Sequence, residues 1–300
     1  MNASAVGPYE ARGSLADWQR GIGALSIGHP LPVLAISAAF AGPLLDLAGQ
    51  EGGGLNIFAG SSQGKTSIIQ AAASVWGRGD SPGYVAWRAT ANGLEGVAAS
   101  ASDTVLILDE LGVVEARDAA AGIYGLANGS GKARAARDGS LREPKSWRVL
   151  ILSTGEIPIT TKLAEDRGRK ARAGQLVRML DIPADRGKGF GAFDHGGPGN
   201  DAGALAKAFK QAAVSDYGTA GPEFVRRIIA NGAEEVSGVI RDFINAFVET
   251  NVPLGSDGQI NRAAQRLGLI AAAGEYAVKL GVVPWPEGEA KSAAAWALKR

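Results

Sequence analysis

Apolar runs alternate with segments of helical periodicity through the middle of the chain. The third and fourth of the five β-like runs are continuously apolar, which is typical of strands buried on both faces of a parallel sheet. Helical patterns fill most of the intervals, as over 66–77 and 116–129. The order predicts an α/β fold with a mostly parallel five-stranded sheet. The predicted strands are 55–59, 84–87, 104–108, 148–153 and 176–182.

The regions on either side of this pattern differ from it. The apolar stretch 31–48 contains Pro32, Pro43 and Asp46, and its unbroken part is shorter than the roughly 18 residues that a membrane span needs. We therefore expect a buried helix there. Residues between Pro183 and Pro222 are rich in Gly and Asp and predict a loop or a domain boundary. The expected parts are a helical amino-terminal segment (1–50), a central core (51–184), a Gly-rich connector (185–222) and a lid-like helical bundle (223–300).

Composition narrows the class of protein. The 300 residues include no cysteine and only two histidines, His29 and His195, which excludes disulfides and thiolate metal sites and disfavours a zinc centre. The net charge of +1 indicates that any contact with nucleic acid comes from a local basic patch. Because the amino terminus lacks the pattern of a secretory signal, we expect a cytoplasmic protein without a membrane partner.

A phosphate-binding loop is predicted between the first strand and the following helix. The sequence AGSSQGKT over 59–66 fits G-x-x-x-x-G-K-[ST], except that Ala59 replaces the first glycine. If the φ angle of Ala59 is negative, the added methyl group costs little. Lys65 would balance the β- and γ-phosphate charge of ATP, and Thr66 would bind Mg²⁺. The predicted nucleotide-binding residues are Gly60, Ser61, Ser62, Gln63, Gly64, Lys65, Thr66 and Ser67.

Two further strands end in polar residues. VLILDE brings Asp109 and Glu110 to the carboxyl edge of the sheet, where ligands of open parallel sheets bind. We expect Asp109 to act at Mg²⁺ and Glu110 to polarise the attacking water as a general base. In the next apolar strand, Ser153 or Thr154 is expected to sense the γ-phosphate, although capping of a following turn would explain either residue as well.

Two basic clusters flank the fourth strand. The first, over 128–148, has Gly-rich turns that predict a hairpin, and its cations Lys132, Arg134 and Arg137 are candidates for sequence-independent contacts with DNA phosphates. The second, over 165–178, includes Arg172 and Arg178, of which one could complete the ATP site of a neighbouring subunit. Ordinary solvated charge accounts for both clusters about equally well.

Together these segments resemble the AAA+ ATPases, and more narrowly the DUF927 family of helicase-like replication proteins from phages, plasmids and mobile elements. The resemblance rests on AGSSQGKTSIIQAAASVWG, DTVLILDELG, WRVLILSTGE, RKARAGQLVRMLDIPAD and QINRAAQRLGLIAAAGEYA. It implies a P-loop, ASCE-type three-layer sandwich, a hexameric ring that moves along single-stranded or forked DNA, and Arg262 as a second sensor, with Arg266 one turn further on.

The leading hypothesis is therefore an ATP-driven DNA helicase or translocase motor that uses ATP and Mg²⁺. Such motors usually work with a primase or a DNA-binding module, which would be a further partner of this chain. Two alternatives stay open on the sequence alone. One is a replication or loading adaptor that binds ATP as a switch without unwinding, and the other is a P-loop packaging ATPase.

Overall fold

A five-stranded parallel sheet forms the centre of the protein. The computed structural model describes residues 9–131, 134–135, 141–166 and 178–300. The strand order is β2-β3-β6-β1-β7, and every neighbouring pair is parallel. All five predicted strands are present, and their ends differ from the prediction by at most three residues. The strands of this sheet are β1 (Gly53–Phe58), β2 (Val85–Ala86), β3 (Thr104–Asp109), β6 (Val149–Gly155) and β7 (Met179–Pro183).

A separate antiparallel pair confirms the predicted hairpin. It consists of β4 (Arg134–Ala135) and β5 (Leu141–Arg142), with Arg134 opposite Arg142. Beyond these strands, the Gly131 N–H donates to the Lys145 carbonyl at 2.8 Å, so the two arms of the hairpin remain paired toward its base. The hairpin is inserted directly before β6, as the sequence predicted.

Thirteen α-helices are formed by the described residues. The first two flank a π-helical turn, Gln19–Gly23, and Gly42 and Pro43 separate α3 from α4. No helix within the described ranges is long and apolar enough to cross a membrane. The helices are α1 (Leu15–Trp18), α2 (Ala24–Ser26), α3 (Pro30–Ala41), α4 (Leu44–Leu47), α5 (Lys65–Ala73), α6 (Ala91–Ser100), α7 (Ala116–Asn128), α8 (Ile159–Ala164), α9 (Ala202–Ser215), α10 (Ala220–Asn231), α11 (Ala233–Asn251), α12 (Gly258–Lys279) and α13 (Glu289–Leu298).

Helices cover both faces of the sheet. On one face α3 and α5 pack against β3 and β6, and on the other α7 packs against β1 and β6. Side chains alternate between the faces of a strand, so consecutive residues of β6 enter different cores. Leu150 and Leu152 join the core that contains α3 and α5, whereas Ile151 joins the core that contains α6 and α7. This burial on both sides explains why β6 is continuously apolar from Val149 to Leu152.

The two ends of the chain share one hydrophobic core with the phosphate-loop helix. Trp18 and Phe40 from the amino-terminal helices, Ile69 from α5, and Phe224 and Ile270 from the carboxy-terminal helices belong to the same cluster of buried residues. The stretch 31–48, which we expected to form one buried helix, forms the two helices α3 and α4 with a break at Gly42 and Pro43, and the residues of α3 from Leu31 to Ala41 are all buried.

The structure corrects the expectation of a loop between Pro183 and Pro222. Residues 202–215 form the helix α9. Asp201 caps its amino end, and the Asp201 side chain accepts the N–H groups of Gly203 and Ala204. The apolar stripe of this helix is short, and Gly-rich sequence precedes it, so its periodicity was obscured. The buried members of the stripe are Leu205, Phe209 and Ala213.

Candidate functional site

The predicted phosphate loop connects the carboxyl end of β1 to the amino end of α5. Strand β1 ends at Phe58, so Ala59 begins the loop rather than ending the strand. The φ angle of Ala59 is not positive. An alanine can therefore replace the first glycine of the motif without backbone strain. Its N–H donates to the Gly155 carbonyl at 3.2 Å, which attaches the loop to the end of β6. Ser62 adopts a φ of 63°.

Gly64 is required by the geometry of the loop. Its φ is 86°, in the left-handed region, and a Cβ atom placed on it would lie 3.2 Å from Cε2 of Phe193. The same Gly-rich segment supports the next residue of the loop, because the Ala192 N–H donates to the Gln63 carbonyl at 3.0 Å. Part of the expected connector is therefore packed behind the phosphate loop.

His29 attaches this supporting segment to the amino-terminal helices. Its Nδ1 accepts the Asp194 N–H at 3.1 Å, and its ring lies 4.0 Å from that of His195 between centroids. Burial lowers the pKa of His29 to about 4, the charge of His195 acts in the same direction, and Asp194 opposes both. A neutral imidazole is what the accepting Nδ1 requires.

Lys65 lies folded against its own loop. Its Nζ donates to the carbonyls of Ala59 and Gly60 at 2.6 and 2.7 Å. Burial lowers the pKa of Lys65, and the charges of Glu156 and Asp109 oppose that shift. Two carboxylates therefore act on the lysine that is expected to meet the phosphates.

The next two residues of the motif have different surroundings. Thr66 is half-buried and lies in the first turn of α5, at the end of the helix that faces the phosphate loop. Ser67 is buried, and its Oγ has no hydrogen-bond partner. Its side chain has no access to solvent, so a contact with nucleotide would have to come from its backbone.

Asp109, Glu110 and Thr154 meet at the carboxyl edge of the sheet. The Thr154 hydroxyl donates to Asp109 Oδ1. The Glu110 N–H donates to the same carboxylate oxygen at 3.1 Å and to the Thr154 Oγ1 at 3.3 Å. Glu110 has a φ of 61°, and its side chain is exposed. This unusual backbone conformation turns the chain after the strand and leaves the Glu110 carboxylate free to approach a ligand.

The structure separates the two sensor candidates that the sequence left open. Thr154 lies on the same face of the sheet as Leu150, Leu152 and α5, and it contacts Asp109. Ser153 lies on the opposite face and is fully buried. Of the two, only Thr154 therefore lies on the side of the sheet that carries the phosphate loop.

Ser153 instead belongs to a chain of hydrogen bonds that links β6, β1 and β7 with Trp87, the residue directly after β2. Its Oγ accepts Trp87 Nε1–H at 2.8 Å and donates to Asn56 Oδ1 at 3.2 Å. Asn56 Nδ2 donates to Asp181 Oδ1 at 2.7 Å. Both Asp181 oxygens accept the N–H of Ile159, at the start of α8, at 3.0 Å. Burial raises the pKa of Asp181, and its three donors, the backbone N–H of Thr160 among them, oppose the shift.

Two of the arginines considered from the sequence, Arg178 and Arg266, lie away from the phosphate loop. Arg172 lies outside the described residues. Arg178 precedes β7 and stacks on Tyr124, with 4.9 Å from its Cζ to the ring centroid. Arg266 donates to the Gly52 carbonyl at 3.3 Å, and burial lowers its pKa to about 10, with the charge of Arg178 acting in the same direction and that of Glu51 opposing.

Arg178 and Arg266 thus lie near the amino ends of β7 and β1. The six residues of β1 span about 20 Å at ~3.3 Å per residue, which separates them from the loop at its other end. Neither arginine therefore lies at the phosphate loop of its own chain, and a role of Arg178 at a neighbouring subunit stays a prediction. Arg262 is exposed on α12, one turn before Arg266, and its sensor role stays a prediction.

The DNA-binding candidates lie on the hairpin. Arg134 is in β4, and its backbone pairs with that of Arg142. Lys132 and Arg137 lie outside the described residues. The hairpin itself was predicted correctly, and the contact with DNA stays a prediction.

Sequence reasoning missed three residues near the site. Asn56 and Asp181 are single polar residues within otherwise apolar strands, which is itself a signal because a buried polar side chain needs partners. Glu156 directly follows the polar end of β6, but roles were assigned only to Ser153 and Thr154 in this segment.

Comparisons with known proteins agree with this architecture. A family model described as "Domain of unknown function (DUF927)" matches residues 2–146, a span that includes the phosphate loop and Asp109 but ends before β6. No curated protein matches the chain. A solved structure, "SCCmec type IV Cch - active helicase", is 21% identical, with a TM-score of 0.72 over 97% of this chain and 53% of the other. The likeness is one of fold, and this chain spans about half the length of that helicase.

Proposed function

We propose that the chain is an ATP-driven DNA helicase or translocase motor that serves the replication of a phage, plasmid or mobile element. The observation that carries the proposal is the meeting of the phosphate loop with Asp109, Glu110 and Thr154 at one edge of the sheet. A structural support would not need a lysine, two carboxylates and a hydroxyl group at this place. The similar fold of a solved helicase supports the same assignment.

Each residue of the edge has a role in ATP hydrolysis under this proposal. Backbone N–H groups of the loop and Lys65 bind the phosphates. Mg²⁺ usually keeps several waters and takes one or two protein oxygens beside the phosphates, and Thr66 and Asp109 supply oxygens of that kind. Glu110 acts as the general base for water, and Thr154 detects the γ-phosphate while it holds Asp109 in place.

The DNA contact and the ring are further parts of the proposal. The hairpin carries Arg134 in β4, and a basic hairpin suits contact with the phosphates of a single strand. A ring of six copies would bring Arg172 or Arg178 of one subunit to the nucleotide of the next. A primase or a DNA-binding module would be a natural partner for such a motor.

The decisive experiment measures ATP hydrolysis with and without single-stranded DNA in the wild-type chain and in Lys65→Ala and Glu110→Gln variants. We expect stimulation by DNA and its loss in both variants, with nucleotide still bound by Glu110→Gln. Binding of ATP without turnover in the wild-type chain would instead support the switch adaptor. Hydrolysis stimulated only by double-stranded DNA would support the packaging ATPase.

The hairpin contact can be tested by charge reversal. Lys132→Glu combined with Arg134→Glu should weaken binding of single-stranded DNA at least tenfold, because each lost phosphate contact removes electrostatic attraction. The matched control reverses Lys207 and Lys210, which are exposed on α9. Equal DNA affinity in the two double variants would remove the hairpin from the proposal.

A further inference from the structure

Glu156 stands beside the phosphate loop because two backbone contacts place it there. Gly155, the last residue of β6, pairs with Phe58 and accepts the Ala59 N–H through its carbonyl. The carbonyl of Ala59 in turn accepts a hydrogen bond from Lys65 Nζ. Glu156 and Lys65 therefore flank the same loop residue, and the side chain of Glu156 is exposed.

The electrostatics agree with this placement. Glu156 is the first of the charges that oppose the lowering of the Lys65 pKa, ahead of Asp109. A carboxylate that acts on Lys65 also acts on whatever Lys65 binds. Where a nucleotide brings several negative charges to this lysine, Glu156 repels them and competes for the ammonium group.

The turn that carries Glu156 is fixed at both ends. On the strand side, Ser153 donates to the buried Asn56. On the helix side, Ile159 donates its N–H to Asp181, which in turn accepts from Asn56. Only residues 154–158 lie between these two anchors, so the position of the turn depends on the Asn56–Asp181 pair.

We propose that Glu156 is a positioning residue of the nucleotide site, whose carboxylate beside Lys65 limits the affinity for nucleotide phosphates, and that the Asn56–Asp181 pair holds it there. The inference rests on the proposed nucleotide site and adds a control on exchange: the protein releases ADP faster than the phosphate loop alone would allow. A polar pair that joins β1 to the edge strand β7 gains little stability from its partial burial, so a positional role accounts for it.

The test measures dissociation constants for ADP and for a non-hydrolysable ATP analogue. Glu156→Gln should bind both at least threefold more tightly than the wild-type chain, and the difference should shrink as salt is added because the repulsion is screened. Glu249→Gln, an exposed residue of α11, is the matched control for net charge and should leave both constants unchanged. Unchanged or weaker binding by Glu156→Gln would overturn the inference.

The anchor is tested by a double-mutant cycle. Asp181→Asn replaces one accepting oxygen by a donor and should free the turn, so that affinity shifts in the same direction as in Glu156→Gln but less. The double variant should then match Glu156→Gln alone, whereas additive effects would show that Asp181 acts separately. Melting temperatures identify any variant that fails to fold, in which case Asn56→Ser replaces Asp181→Asn as the second arm of the cycle.

Failure of the inference is distinguishable from failure of the proposed function. Nucleotide binding by the wild-type chain and its loss in Lys65→Ala establish the site independently of Glu156. If the wild-type chain binds no nucleotide, the proposed function and this inference both fall. If it binds and Glu156→Gln does not tighten binding, only the inference falls.

Discussion

Replacing Thr154 with valine removes one hydroxyl group and keeps the shape of the side chain. The lost contact is the hydrogen bond from Thr154 to Asp109, which holds the carboxylate expected at Mg²⁺. A hydrogen bond to a charged group contributes about 1.5–3 kcal/mol. If that amount is lost from the transition state, at ~1.4 kcal/mol for each tenfold change in rate, the kcat for ATP should fall about 10- to 100-fold. Glu110 N–H keeps Asp109 as its acceptor, so the backbone turn should persist.

Ser153→Ala is the matched control because it removes a hydroxyl group one position earlier, on the other face of the sheet. It leaves Trp87 Nε1 without its acceptor and Asn56 Oδ1 without its donor. Each buried group left unsatisfied costs about 1–3 kcal/mol. The melting temperature should therefore fall by several degrees, at about 2–4 °C per kcal/mol for chains somewhat shorter than this one.

The assay combines steady-state ATP hydrolysis with thermal unfolding of both variants. We expect a crossed pattern in which Thr154→Val mainly loses kcat and Ser153→Ala mainly loses stability. A Thr154→Val variant with the wild-type rate would refute the assignment of Thr154 as the sensor. A Ser153→Ala variant that loses as much kcat as Thr154→Val would refute the argument from the two faces of β6.

Two further predictions concern the support of the loop. Gly64→Ala should lower the free energy of unfolding by about 1–2 kcal/mol in denaturant titrations, because the φ of Gly64 is positive and an added Cβ would press on Phe193. Gly60→Ala is the control, because an added Cβ there meets no atom within 4 Å. Because the folded chain holds His29 neutral with a pKa of about 4 against 6.5 when unfolded, the unfolded state binds more protons between these values, and stability should fall as the pH drops from 6.5 to 4. A His29→Asn variant should flatten that part of the curve of melting temperature against pH, and an unchanged slope would show that other groups cause it.

The strands and the loop could be predicted from the sequence because their signals are local. Continuous apolar runs identified the buried strands, and the glycine, lysine and threonine of the motif identified the phosphate loop. The choice between Ser153 and Thr154 could not be made, because β6 is apolar on both faces and alternation therefore gives no sign of which side a residue takes. That choice depends on the order of strands, which the sequence does not contain.

The hydrogen bonds among Asn56, Ser153 and Asp181 could not be predicted from the local sequence either, although each polar residue is evident within its apolar strand. Asn56, Ser153 and Asp181 come from strands that are far apart in sequence, and their pairing follows from the register of β1 with both neighbours. The Gly-rich segment behind Gln63 was interpreted as a connector because glycine frequency does not distinguish a flexible link from a tightly packed support. In this segment Gly191 permits close approach to the loop, since a Cβ atom on it would lie 2.9 Å from the Gln63 carbonyl oxygen.

The position of α5 has a mechanical consequence. This helix begins in the phosphate loop and packs against α3 from the amino-terminal segment and α9 from the Gly-rich region. α3 in turn packs against α12 and α13, so helices from both ends of the chain are in continuous contact with the one that begins at the phosphates. A displacement of the loop on nucleotide binding would therefore shift helices from both ends of the chain together, and would not stay confined to the phosphate site.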